Sequence, residues 1–284
     1  MAQNPEFPDL GQVGPLSFIA AAGVVTLLYD HLLTFDQEVR YVWKAKWTVP
    51  KFLFLLIRYV VPCAVALTTY QLGGIFHKNI TLAFCRRWFG ASALMCLITT
   101  GPGHFLVMLW SWILCERNRQ VMLGMLGLFA AAQVFSIGFC IFSVVQTSHI
   151  IGTVQKLNFC VLERRSVLPY LFIPGLLCEG IGLLAVFWKS LESRKDHIDL
   201  VDAHCEEGAP YVLVLFVMQL ANLLITLYIP PYLIFVCMPF TWSVTNITVT
   251  RLILNLRKHA LDRRMSAQSV SCETPGPRVH FADQ

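Results

Sequence analysis

The chain has 284 residues, 56% hydrophobic and only 14% charged, with 22 Lys and Arg against 17 Asp and Glu. A soluble domain carries about 25% charged residues, so this chain cannot coat a water-facing surface. That excludes an ordinary soluble enzyme, a disordered chain and a small disulfide scaffold, and leaves a polytopic membrane protein with the lipid bilayer as its main partner. The net charge of +5 does not point to nucleic acid, because the basic residues sit in short connections between apolar runs rather than in one exposed patch.

A helix crosses a ~30 Å hydrocarbon core with about 20 residues. The first charge-free run of that kind goes from Leu10 to Tyr29 and is closed by Asp30. The second, Phe52 to Phe76, is broken only by Arg58. Trp88 to Cys115 is the third, and Gln120 to Gln155 the fourth, long enough that part of it lies outside the bilayer. Pro169 to Trp188 is the fifth and holds Glu179. Gly208 to Thr250 carries no charge and is too long for one helix; Pro230 and Pro231 divide it in two.

The expected fold class is therefore all-α, a bundle of seven transmembrane helices. The spans fall at about 15–33, 52–74, 89–115, 121–145, 169–188, 211–229 and 232–253. Residues 1–14 form an outer N-terminal segment, and residues 255–284 a disordered cytosolic tail. Six spans, with the last long run making one span and a re-entrant piece, is the rival count. Strands of a barrel would alternate apolar and polar, and these runs do not.

Basic residues set the orientation. With the N-terminus outside, the inner connections hold Arg40, Lys44, Lys46 and Lys51, then Arg117 and Arg119, then Lys189, Arg194 and Lys195, before the basic tail. They outnumber the outer Lys78, Arg86, Arg87, Lys156, Arg164 and Arg165. The first apolar run is read as a retained helix, since its first positive residue, Arg40, follows it rather than precedes it as in a signal peptide. The Lys189–Ala209 connection is polar and expected to be mobile.

Ten cysteines are present, and only Cys85 and Cys160 fall on the outer side. Two such cysteines in an oxidising compartment form a disulfide candidate that would pin the outer loop over the bundle; two free thiols are the alternative. Asn79-Ile80-Thr81 is an outer glycosylation sequon. Ser266, Ser269 and Ser271 follow Arg263 and Arg264 and are phosphorylation candidates.

Ionisable residues at membrane depth are costly and each is a candidate for function. Asp30 and Arg58 belong to the same leaflet and can pair, or sit separately at the interface with Arg58 snorkelling. Glu179 lies near the midplane of the fifth span among Pro174, Gly175, Gly180 and Gly182. It is either a buried structural carboxyl or a counter-ion or proton site. His104 follows Gly101-Pro102-Gly103 and is read first as a hydrogen-bonded core residue. The acidic stretch from Asp196 to Glu207 matches no compact zinc spacing, so no metal is assigned. No lysine lies between Gly208 and Thr250 for a retinal Schiff base, and no phosphate loop, nucleophile elbow or metal-hydrolase motif occurs. No catalytic residue and no cofactor is assigned.

Two segments carry a resemblance. The first is Leu28-Tyr29-Asp30-His31-Leu32-Leu33-Thr34-Phe35, followed by Glu38-Val39-Arg40-Tyr41-Val42-Trp43, Lys46-Trp47 and Phe54 to Tyr59. The second is Arg251-Leu252-Ile253-Leu254-Asn255-Leu256-Arg257. Together they resemble the multi-pass family of mushroom-forming fungi called domain of unknown function 6533. The resemblance implies a fungal integral membrane protein without established activity. It also implies a shared unit of Tyr29, Asp30, Thr34, Glu38, Trp43, Arg58 and Tyr59 with Arg251, Asn255 and Arg257. The chain departs from the family at Trp110 to Cys115, where an arginine and a tyrosine are expected.

The functional expectation is a receptor-like seven-helix protein of the plasma membrane or an endomembrane, with a cytosolic signalling partner. The alternatives are a small-molecule or proton transporter using Glu179, and a membrane scaffold without catalysis.

Overall fold

The computed structural model describes residues 10–72, 81–114, 119–149, 151–154, 159–162, 167–196, 199–230 and 234–273. Among them are seven long helices. These are α1 (Leu10–Glu38), α2 (Val49–Leu72), α3 (Leu82–Leu114), α4 (Arg119–Ser148), α5 (Ile173–Asp196), α6 (Asp199–Tyr228) and α7 (Ile234–Glu273). A π-helical turn, Val39–Trp43, follows α1, and a 3₁₀ turn, Leu168–Phe172, leads into α5.

Six helical stretches are long and apolar enough to cross a membrane: Phe18–Trp43, Val49–Gln71, Leu82–Leu109, Met122–Ser148, Leu168–Trp188 and Gly208–Tyr228. By length and composition this is a multi-pass integral membrane protein. α7 is not among them, so six spans rather than seven are shown among the described residues. Its composition explains the difference. Thr241, Ser243, Asn246, Thr248 and Thr250 lower its hydropathy, and all five are buried. α7 is packed against α1, α2 and α6 and turns its polar residues to protein. α4 is the opposite case, with Val134, Phe135, Ile141, Phe142 and Val145 exposed, as suits a helix bathed in lipid.

Two expectations are corrected, and one short element is added to the all-helical fold. β1 (Ile151–Val154) and β2 (Phe159–Leu162) form an antiparallel hairpin after α4, with Thr153 opposite Cys160. Its Ile151, Thr153, Val154, Phe159 and Val161 are β-branched or aromatic, which suits extended backbone. The tail expected to be disordered from residue 255 is helical as far as Glu273, because no Gly or Pro interrupts the run after Arg251 before Pro275. The connection expected to be mobile between Lys189 and Ala209 is largely helix, since α5 reaches Asp196 and α6 begins at Asp199.

Prolines 62, 102, 210 and 239 lie inside helices, as membrane helices tolerate when neighbours and Ser or Thr side chains satisfy the backbone. Thr99 and Thr100 donate back to the carbonyl of Cys96 just before Pro102. Gly23 sets the α1–α7 distance: a Cβ there would lie 2.9 Å from the Phe240 Cα and 3.2 Å from the Ser243 hydroxyl.

Two apolar cores result. One, including Leu27, Val42, Phe54, Ile57 and Leu252, surrounds the Arg58 end of the bundle. The other, of Cys85, Phe89, Ile151, Leu162, Leu168 and Ile234, lies at the hairpin end.

Candidate functional site

Arg58 is the hub of the first polar region. It is 1% exposed, and all five of its N–H groups have acceptors. Nε donates to Glu38 Oε2 at 3.2 Å. Nη1 donates to Asp30 Oδ2 at 3.4 Å and to Thr250 Oγ1 at 3.5 Å. Nη2 donates to the His31 carbonyl at 3.1 Å and to the Thr34 hydroxyl. Thr34 passes its own proton to the Asp30 carbonyl at 2.7 Å, and Thr250 passes its to the Asn246 carbonyl at 2.8 Å.

The acceptors are shared on their other sides. Glu38 Oε1 accepts from the Trp43 indole at 2.9 Å and the Tyr59 hydroxyl at 2.7 Å. The π-helical turn brings the Trp43 indole back onto Glu38. Asp30 Oδ1 accepts from Arg251 Nε at 2.5 Å. Asp30 and Glu38 thus face Arg58 and Arg251, and the four charges balance. Buried charges persist only when paired and hydrogen-bonded in this way. Lys51 closes the turn by donating to the carbonyls of Trp43 at 3.0 Å and Ala45 at 2.7 Å, beside the Trp47 ring. Asn246 Nδ2 ties α7 to the Ile57 carbonyl of α2 at 2.9 Å.

Of the motif residues, Asp30, Thr34, Glu38, Trp43, Arg58, Tyr59 and Arg251 meet in this cluster. Tyr29 does not: it is 62% exposed. Arg257 lies further along α7 and donates to the Tyr41 carbonyl at 3.4 Å; half-burial lowers its proton affinity below that of a free arginine. Asn255 is half-buried between them.

The second polar region is a cavity of about 200 Å³ under the hairpin. Cys85 of α3 and Cys160 of β2 are joined by a disulfide with Cα atoms 5.6 Å apart, and both line the cavity. Its floor is His104, whose Nε2 lies 3.1 Å from Gln219 Nε2 and 3.4 Å from Glu179 Oε1. Glu179 is 2% exposed, and its Oε2 has no partner among the described residues. Gly175 makes the floor fit, because a Cβ there would run into Gln219 and come within 3.0 Å of the His104 ring. A smaller cavity of about 30 Å³ lies between His104, Ser111, Cys178 and Glu179, room for about one water.

The sequence does not single out Gln71, Gln219 or Thr250. Their signal was present: uncharged amides and hydroxyls in apolar spans need internal partners just as charges do. Asn79 lies outside the described residues. Ser266, Ser269 and Ser271 fall within α7.

A family model described as "Family of unknown function (DUF6533)" matches residues 18–63. The matched stretch comprises most of α1, the π-helical turn and the first part of α2, which supply the Arg58 cluster with all its members except those of α7. No curated protein and no solved structure matches the chain.

Proposed function

We propose that this is a seven-span, receptor-like protein that binds a small ligand under the hairpin and reports it at the Arg58 end. The observation that carries the reading is the double duty of α7. Trp242 and Thr245 of α7 line the cavity. Asn246 and Thr250, on the next turns, bond to the Ile57 carbonyl and to Arg58, and Arg251 bonds to Asp30. A ligand that shifts α7 therefore acts on one rigid element with contacts at both ends.

The orientation rests on two supports. Disulfides persist in oxidising compartments, which favours the hairpin end outside; Arg40, Lys44 and Lys46 at the other end favour the cytosol. The N-terminus is then outside and α7 enters the cytosol, in the plasma membrane or an endomembrane. The resemblance of the motif region supports a fungal source. The cytosolic partner would meet the inner rim around the π-helical turn and the extension of α7.

Proximity labelling from a ligase on the C-terminus in fungal cells tests this. Enrichment of heterotrimeric G-protein subunits or a kinase over a control seven-span protein is expected. Labelling of transport or lipid-enzyme neighbours alone would overturn it, and labelling of extracellular proteins would invert the topology.

The second reading is a proton-coupled transporter. It is favoured by the buried Glu179–His104 contact and the unpartnered Glu179 Oε2 between two cavities. It predicts proton flux into proteoliposomes that is lost in Glu179→Gln.

A further inference from the structure

The cavity under the hairpin has a length, a polarity and a charge balance that together specify an occupant. α3 lines it from Cys85 through Ser92, Cys96 and Thr100 to His104, a rise of about 28 Å at about 1.5 Å per residue. A volume of about 200 Å³ beside so long a stretch of one helix suits a narrow chain better than a bulky ring system. Drug-sized sites run to roughly 300–1,000 Å³.

Among the described residues that line it there is no Asp, Glu, Lys or Arg. Among the described residues a carboxylate or ammonium in the slot would face no counter-ion but the His104 imidazole, which Glu179 already engages, and an unpaired charge at membrane depth is strongly disfavoured. The walls near the hairpin are apolar, with Phe89, Ile151, Leu168 and Met238. The deep end is polar, with His104, Gln133 and Gln219. Toward the hairpin, where Thr68 and Ser92 also line the slot, one amide lacks a partner. Gln71 lies one residue before the end of α2, is 6% exposed and lines the slot, and its Nε2 has no hydrogen-bond partner among the described residues. Buried amide donors are normally satisfied, so this one calls for an acceptor.

We infer that the slot takes an uncharged linear lipophile with an oxygen function at each end, such as a long-chain diol, hydroxy-ketone or hydroxy-ester. The deep hydroxyl or carbonyl meets the His104–Gln219 pair, the alkyl chain follows α3, and the second oxygen accepts from Gln71 Nε2. This deepens the receptor reading and rests on its assignment of the cavity as the ligand site.

The test uses the full chain in nanodiscs of zwitterionic phospholipid, with tritiated dodecanediol as probe and dodecanol, dodecane, dodecanoate and dodecylammonium as competitors. Dodecanediol should bind saturably, dodecanol more weakly, and the two charged compounds and dodecane at least about tenfold more weakly still. Ala93→Phe, which fills the slot midway, should abolish binding. Gln71→Leu should reduce affinity for dodecanediol to that for dodecanol and leave dodecanol unchanged, a readout a merely misfolded variant would not give. An intact Cys85–Cys160 bond by mass spectrometry verifies the fold of each variant.

Equal binding of dodecanoate or dodecylammonium would overturn the inference, as would undiminished binding to Ala93→Phe. So would a co-purifying phospholipid that dodecanediol fails to displace. If dodecanediol binds as expected but no cytosolic partner is labelled, the ligand class stands and the signalling reading falls. If partners are labelled but dodecanediol does not bind, the signalling reading stands and this inference falls.

Discussion

The two polar regions of the bundle treat their buried groups in opposite ways. At the Arg58 end every N–H of the Arg58 guanidinium has an acceptor, both carboxylates have two-sided partners, and the charges cancel. In the cavity region Gln71 Nε2, toward the hairpin, and Glu179 Oε2, beneath the floor, are buried without partners among the described residues beside open volume. A saturated network fixes geometry; an unsaturated one beside a cavity is free to take a ligand or a proton. The lesson is that burial and charge alone do not mark a binding site in a membrane bundle. The more heavily charged region holds α1, α2 and α7 together, and the nearly uncharged one has the room.

The contrast can be broken most directly at Arg58. Arg58→Met leaves Asp30 and Glu38 buried with one less positive partner, and removing one side of a buried ion pair costs about 3–5 kcal/mol. Thermal unfolding of the purified protein should show a loss of that size, and a loss under about 1 kcal/mol would mean that the cluster is not what joins the three helices. Next comes the disulfide. Cys85→Ser, or reductant on the native chain, opens a loop spanning 75 residues and should cost about 2–4 kcal/mol. Melting curves with and without reductant should differ in the native protein and coincide in the variant.

Gly23→Ala probes the α1–α7 approach beside the cluster. The new methyl meets Phe240 backbone, which cannot rotate away, and overpacking of this kind costs about 1–3 kcal/mol. Gly175→Ala sharpens the comparison from the cavity side. Its methyl meets side-chain atoms of Gln219 and His104, which can shift, so the stability cost should be smaller, about 1 kcal/mol. The same change should weaken probe binding by about tenfold; equal effects on stability at both glycines would erase the distinction between a rigid and an adaptable region. Gly124→Ala is the smallest case. Nothing lies within 4 Å of the added Cβ, and its effect on unfolding should stay within about 0.5 kcal/mol.

Much of this fold can be read from composition because the bilayer imposes a local rule: each crossing needs its own apolar run. Asp30, Arg58, His104 and Glu179 stand out in the sequence because charge and imidazole are rare at membrane depth. What surrounds them does not. Glu38 reads as a loop residue, yet it is 0% exposed and binds Arg58, Trp43 and Tyr59. Arg251 reads as the start of a basic tail, yet it pairs with Asp30 at a separation of 221 residues. Gln71 and Gln219 draw no attention as single amides in apolar helices, and only the packing of α2 and α6 around one cavity brings both to its lining.

The tail and the hairpin mark a second limit. Polarity past the last span was read as disorder, but polarity tells only that a segment avoids lipid, and helix formers without Gly or Pro continued α7 to Glu273. The hairpin segment is too short for periodicity to separate it from loop.

By itself, then, the sequence determined that this chain lives in a bilayer, where its apolar runs lie and which few residues carry charge at depth, because each of these depends on a residue's own transfer free energy between water and lipid. Only the tertiary structure decided which charges neutralise one another, that the polar α7 turns inward, and that an uncharged slot opens beneath Cys85 and Cys160. Those depend on which faces of distant helices meet, and a bilayer that treats every apolar face alike leaves that choice to packing and hydrogen bonds between helices.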